Sequence, residues 1–251
     1  VSAPVFFLDT AEAAALMTGD TCRLTGDEGH HAADVRRLRA GEAIDLTDGA
    51  GQLLHASVSA VRRGEVELMI AERVDETEPS PRFTVVQALA RGGRDEQAVE
   101  AMTEVGVDAV VGWESSRVVA RWTDRTLHRW TSVSRAAARQ ARRAWWPQIS
   151  GPATTDDVAE RCRAATLAIV LHEGASTPLT AVEIPTAGVA VAGPVSDIVV
   201  VVGPEGGITD AELAVLTAAG AHVVRLGPTV LRSSTAGVAA LAVLSAATRW
   251  R

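Results

Sequence analysis

Ile198-Val199-Val200-Val201-Val202 runs directly into Gly203-Pro204-Glu205-Gly206-Gly207. Five apolar residues without polar alternation are what a strand covered on both faces requires, and such strands belong to parallel sheets. The Gly-Pro-Glu-Gly-Gly run stops that strand at once, because Pro removes a donor and Gly punctuates regular structure. Thr209-Asp210-Ala211-Glu212 then opens a helix over 209–219 as a capping box, a hydroxyl followed three residues later by a carboxylate, and Gly220 closes it. Strand, glycine-rich loop and helix together form the unit from which α/β sheets are built.

The same alternation extends outward from this unit. It predicts strands over 83–89, 109–113, 168–171 and 222–226, and helices over 95–105, 124–143 and 156–165, with a long Ala-rich helix from Ser233. Residues 174–197, with Pro178, Pro185 and Pro194, read as an irregular insertion. Towards the N-terminus the pattern changes. Residues 74–82 (VDETEPSPR) are polar and carry two prolines. Before them come short alternating runs at 5–8, 43–47, 53–61 and 66–70, with glycine turns at Asp48-Gly49-Ala50-Gly51 and Arg62-Arg63-Gly64 and one helix over 27–38. The expectation is a small β-barrel over 1–75, a linker over 76–82 and an α/β domain over 83–251.

The chain has 251 residues, 47% of them hydrophobic, and a net charge of −7. No apolar run approaches the ~18 residues of a membrane span, and a soluble cytoplasmic protein is expected. Cys22 and Cys162 are too few for a disulfide framework or a Cys-rich zinc site. There is no Lys, so all 24 basic residues are Arg. That excludes a Walker A clamp, a Schiff base and a Lys general base. Charge is concentrated: residues 117–143 hold eight Arg against Asp124 alone. Spacings of i, i+4, i+7 and i+8 put Arg135, Arg139, Arg142 and Arg143 on one helix face, the footprint of a polyanion partner. Trp145 and Trp146 follow, for stacking on bases or for packing.

Three predicted strands end in unusual loops: Leu171-His172-Glu173-Gly174, Val202 to Gly207, and Leu226-Gly227-Pro228-Thr229-Val230-Leu231-Arg232. Ligands of open α/β sheets lie beyond the strands' carboxyl ends, so the loops outline a small-molecule pocket. With Arg232 as its nearby cation it suits a neutral or zwitterionic ligand better than a triphosphate. His172 and Glu173 lack a third ligand nearby, so no metal is expected.

Taken together, Gly203-Pro204-Glu205-Gly206-Gly207, Leu226-Gly227 and Leu231-Arg232-Ser233-Ser234-Thr235-Ala236 resemble the RsmE-type 16S ribosomal RNA uridine N3-methyltransferases of the SPOUT superfamily. The resemblance extends to His30-His31, Val35-Arg36-Arg37-Leu38-Arg39, Gln87-Ala88-Leu89, Arg91, Arg94, Arg117 and Ala138-Arg139-Gln140. It implies a PUA-like N-terminal barrel, a C-terminal α/β domain with a trefoil knot, a homodimer, S-adenosylmethionine as cofactor, and 16S rRNA in the small subunit or a late precursor as partner. It implies donor contacts from Leu171, His172, Glu173, Val202, Gly203, Pro204, Glu205, Gly206, Gly207, Leu226, Gly227, Val230, Leu231 and Ser233. RNA contacts are expected from His31, Arg36, Arg37, Arg91, Arg94, Arg117, Arg135, Arg139, Arg142 and Arg143. Arg232 is the candidate for stabilising the uracil oxygens, and no general base is identified. Ser234 stands where the family carries Glu. That departure leaves open a binding-only assembly factor; a SPOUT enzyme acting on another RNA is the remaining alternative.

Overall fold

The computed structural model describes residues 3–90, 92–185 and 197–251. Arg91 and residues 186–196 of the expected insertion lie outside them. The chain divides into two compact units. One joins Val1–Glu78 to Ala138–Trp146; the other joins Pro79–Ala137 to Pro147–Arg251.

The first unit is a five-stranded sheet of order β1-β3-β4-β5-β2. Its strands are β1 (Val5–Phe7), β2 (Thr21–Leu24), β3 (Ala43–Thr47), β4 (Gln52–Arg62) and β5 (Glu65–Asp75). β1 pairs parallel with β3, and the other pairings are antiparallel. Every second residue faces inward, so Ile44, Leu46, Leu54, Val58, Val66, Leu68 and Ile70 form the core with Phe6 and Leu24. Alternation made β3, β4 and β5 legible. Helix α1 (Thr10–Ala15) and β2 were not foreseen, being short and weakly patterned. The helix expected over 27–38 is α2 (Gly26–His30) followed by a π-turn, His31–Val35, which Arg37 leaves with φ 54°. Asp34 fixes the turn by accepting from the Gly64 N–H at 3.0 Å and pairing with His30 at 2.9 Å. β5 carries on to Asp75, through the first two residues of the polar stretch 74–82.

The second unit contains six parallel strands of order β11-β9-β10-β6-β7-β8. They are β6 (Arg82–Ala88), β7 (Ala109–Trp113), β8 (Gln148–Ala153), β9 (Leu167–Leu171), β10 (Asp197–Val202) and β11 (His222–Val224). β10 is covered on both sides as its sequence requires. Ile198, Val200 and Val202 join one core with residues of α3 (Arg94–Glu104) and α7 (Ser233–Ala247). Val199 and Val201 join the other with residues of α5 (Thr155–Ala164) and α6 (Asp210–Ala218). β8 was missed because Gly151 and Pro152 interrupt any apolar pattern.

The Arg-rich helix, α4, spans Asp124–Gln140 and not 124–143. The Arg143 N–H donates to the Ala138 carbonyl and the Arg142 N–H to that of Arg139, while Arg142 takes φ 56°. This is a Schellman ending with Arg where Gly is usual, so the sequence carried no stop signal. Arg142 and Arg143 therefore do not extend the helix face.

Residues 138–146, expected in the second domain, count with the first unit. Trp145 donates from its indole to the Glu76 carbonyl at 3.0 Å, and the Trp146 N–H to the Gly49 carbonyl at 2.9 Å. A Cβ on Gly51 would come within 2.5 Å of the Trp145 ring, and one on Gly49 within 2.9 Å of Trp146. The two tryptophans are packing residues of the barrel.

Candidate functional site

The carboxyl ends of β9, β10 and β11 open into a cleft of about 310 Å³. Leu171, His172, Glu173, Val202, Gly203, Pro204, Glu205, Gly207, Val230, Leu231, Arg232 and Ser233 line it. Adjoining it is a smaller hollow of about 100 Å³, shared by Leu171 to Glu173 and lined also by Leu226 and Gly227. The three loops singled out from the sequence therefore converge. Two further lining residues, Ile208 and Ala236, were missed. Ala236 was within reach of the pattern, since it stands three residues after Ser233 on one helix face. Ile208 was not, because it follows from the loop's return: a Cβ on Gly203 would meet the Ile208 side chain at 2.6 Å.

Gly206 does not line the cleft. A Cβ there would lie 3.2 Å from the Cβ of Arg117, whose guanidinium donates to the Gly206 carbonyl at 2.9 Å. Gly206 thus leaves room for a bracing arginine. Gly207 at φ 75° completes the turn, a conformation that favours glycine. Arg94 pairs with Glu205 at 3.6 Å on the same loop. Two arginines expected on RNA are therefore docked on the cleft loop.

Arg117 is itself placed by Glu212. This buried carboxylate accepts from the Thr209 N–H at 2.9 Å and the Thr209 hydroxyl at 2.7 Å, closing the capping box. Its other oxygen accepts from the Ser116 N–H at 2.7 Å, next to Arg117. Burial pushes the Glu212 pKa up, but the hydrogen bonds from Ser116 and Thr209 outweigh it and hold the carboxyl below its ordinary value. The capping box was legible in sequence; its link to Ser116 was not. Burial pushes the thiols of Cys22 and Cys162 up to about 11, so neither supplies a thiolate at neutral pH.

Residues 77–245 match the RNA methyltransferase domain model, and residues 24–70 the RNA methyltransferase PUA domain. A ribosomal RNA small subunit methyltransferase E of Mycobacterium bovis is 42% identical over 257 residues, covering 99% of this chain and 94% of the relative. The chain belongs to the ribosomal RNA small subunit methyltransferase E family. A methyltransferase E of Neisseria gonorrhoeae solved with S-adenosyl methionine superposes with a TM-score of 0.83 at 26% identity, over 98% of each chain. A methyltransferase of Legionella pneumophila in complex with SAM gives 0.80 at 26%, over 99% of each.

For this methyltransferase E family member the remaining expected RNA residues fall in different surroundings. His31, Arg36 and Arg37 are exposed on and just after the π-turn. Arg135 and Arg142 are exposed, and Arg143 is half-buried. Arg139 is ion-paired with Glu28, which also accepts from the Phe7 N–H at 3.1 Å, and lies 5.8 Å from the Trp146 ring centroid. It is a structural arginine of the first unit.

Proposed function

We propose that the protein methylates N3 of a specific uridine in 16S rRNA, with S-adenosylmethionine as methyl donor. The observation that carries the proposal is the convergence of three loops, at adjacent parallel strand ends, on one cleft in an RNA methyltransferase domain. The cleft's chemistry fits such a donor. It offers apolar walls at Leu171, Val202 and Leu231, bare backbone at Gly203 and Gly207, and one buried hydroxyl, Ser233 Oγ, without a partner. The bound donor supplies an electrophilic methyl on a sulfonium.

The chain's own groups then have two tasks. One is positioning, since N3 must face the methyl in line with its sulfur. The loop that would hold the donor is braced by Arg117 and Arg94, so its shape does not wait for the ligand. The other is to favour the uracil anion left when N3 loses its proton. Arg232 lines the cleft at the start of α7, and its guanidinium is assigned to the uracil oxygens. No proton acceptor is assigned: Glu212 is buried and fully engaged, and Ser234 is a hydroxyl.

RNA is held by the exposed arginines of the first unit, with residues 1–75 acting as the RNA-binding domain, 76–82 as linker and 83–251 as the methyltransferase domain. A trefoil knot around the cleft, a homodimer, a cytoplasmic location, and a small subunit or its late precursor as substrate complete the proposal. No helix among the described residues is long and apolar enough to cross a membrane. Mass spectrometry of 16S rRNA from a deletion strain tests it. Loss of one methyluridine, restored by the parent gene and not by a cleft variant, is expected. Unchanged rRNA methylation together with micromolar donor binding would instead favour the binding-only assembly factor that Ser234 leaves open.

A further inference from the structure

The loop from β7 to α4 is fastened on one side and presents cations on the other. The Glu114 carboxylate accepts from the Trp122 N–H at 2.7 Å and so closes the loop. Burial alternates along it. Val118, Ala120 and Trp122 pack against the core of the second unit. Gly112, lacking a Cβ, leaves room for the Trp122 ring, which meets Trp130 edge-on at a centroid distance of 5.1 Å. The alternate residues Arg117, Val119 and Arg121 are exposed, Val119 to 66%. Arg125 follows, exposed in the first turn of α4. Arg117 is committed to the Gly206 carbonyl, and Arg129, one turn after Arg125, pairs with Glu96 at 3.1 Å. Arg121 and Arg125 have no side-chain partner among the described residues. Asp124 is the one acid in the sequence between Glu114 and Asp156, and neither arginine pairs with it.

A guanidinium left without a carboxylate suits a phosphate, which it meets with parallel N–H donors. An exposed aliphatic side chain between two such cations suits the ribose and base faces that lie between phosphates along a nucleic-acid strand. Because the loop is already ordered, a partner gains these contacts at little ordering cost. Through Arg117 the loop also touches the cleft loop at Gly206, so a strand seated here lies beside the cleft. We propose that this loop and the first turn of α4 form an RNA-contact surface of the second unit, in addition to the arginines of the first. Arg121 and Arg125 take backbone phosphates, and Val119 lies against a ribose or base near the target uridine. The surface rests on the rRNA reading above and deepens it.

Binding to small subunits from a deletion strain and to protein-free 16S rRNA, each measured over a range of salt, tests the surface. In the Arg121→Gln, Arg125→Gln double variant the slope of log affinity against log salt should flatten by about 1.4–1.8 on both probes, two phosphate contacts' worth. Melting temperature and calorimetric affinity for S-adenosylhomocysteine should stay at the parent's values. Arg129→Gln, which removes a held charge from the same helix, should leave the slope nearly intact. Val119→Ser should weaken binding about three- to tenfold at every salt concentration, the scale of burying part of a valine, with no change of slope. An unchanged slope in the double variant would overturn the proposal, as would an Arg129→Gln variant that flattens it by as much as one of the pair. A slope that changes on subunits alone would overturn it in favour of an acidic ribosomal protein surface. A parent protein that binds neither probe overturns the rRNA reading, and this surface with it.

Discussion

Arg249 and Arg37 show the two uses to which this lysine-free chain puts its cations. Arg249 in the second unit donates to the Pro81 and Gly106 carbonyls, pairs with the buried Asp108, and lies 3.9 Å from the Phe83 ring centroid. Arg37 in the first unit is exposed, has no side-chain partner among the described residues, and sits in left-handed backbone that non-glycine residues rarely adopt. Arg36 and Arg63 are likewise exposed without side-chain partners among the described residues. Arg117 and Arg94, on the cleft loop, belong to the held class. A planar fork of donors suits that class, since it satisfies several carbonyls at fixed geometry. The presented arginines have no contact on which to use the fork, and two of the expected RNA residues, Arg37 and Arg142, are the non-glycine residues with positive φ among those described. Strain at an exposed, unpaired cation points to function more than to folding. Charge density along the sequence therefore does not identify an RNA surface by itself; the partners do.

The largest expected effect breaks the held class. Arg249→Ala removes the guanidinium from a buried carboxylate, Asp108, that also accepts from the Phe83 N–H at 2.8 Å. Stability should fall by about 3–5 kcal/mol, as for other half-broken buried pairs. Adding Asp108→Asn should recover part of that loss in urea unfolding. An Arg249→Ala variant within 1 kcal/mol of the parent would mean the network is decorative.

Next comes the presented class. Arg37→Gly removes a charge and relieves a left-handed residue, so the two readouts should move in opposite directions. Melting temperature should hold or rise slightly, because glycine carries no steric penalty at that φ. In the Arg36→Gln, Arg37→Gly double variant, the slope of log affinity for rRNA against log salt should flatten by about 1.4–1.8, two phosphate contacts' worth. An unchanged slope would place the RNA elsewhere. Arg139→Ala is the contrasting control: it should lower stability through Glu28 while leaving the salt slope nearly intact.

How far the sequence could be read follows the same division. The strand over 198–202, the capping box at Thr209 and the three loops were legible because periodicity and capping are local signals. β3 and β7 were placed to the residue for the same reason. The cleft lining followed, because strand ends in a parallel sheet share one side. What failed was long-range. Nothing near Ala138 announces that 138–146 packs with the barrel; that depends on glycines at 49 and 51 leaving space for two indoles. Nothing at Gly206 says its missing Cβ makes room for Arg117, 89 residues away, and not for a ligand. The end of α4 was hidden by an arginine in a position where glycine is the usual signal.

Arg117 sharpens the comparison at the site itself. A brace on the Gly206 carbonyl should matter to catalysis more than to folding. Arg117→Ala is expected to reduce methylation kcat/KM by about tenfold, since one charge-assisted hydrogen bond is worth about 1.5–3 kcal/mol when well formed. Its melting temperature should change little, and its rRNA salt slope should stay near the parent's. A flattened slope with normal donor affinity would return Arg117 to the presented class.

The smallest effect lies one bond further back, at Glu212, and it carries a pH signature. Its carboxylate holds both the α6 cap and the loop that carries Arg117, and its pKa is lowered from 4.5 in the folded protein. A group with a depressed folded pKa contributes stability above its unfolded pKa and loses it as pH falls through the folded value. The parent should therefore lose stability from about pH 4.5 downward, with Glu212 supplying part of the slope. Glu212→Gln keeps the shape but replaces one acceptor oxygen by an amide that cannot accept from Ser116 or Thr209. At pH 7 it should cost about 1 kcal/mol, one hydrogen bond's net worth, and below pH 4 the gap to the parent should narrow towards zero. Donor affinity at pH 7 should fall with it, because the loop that seats Arg117 is anchored at Ser116. A gap that stays constant from pH 7 to pH 3 would show that Glu212 acts by packing alone and that its charge does not hold the cleft loop in place.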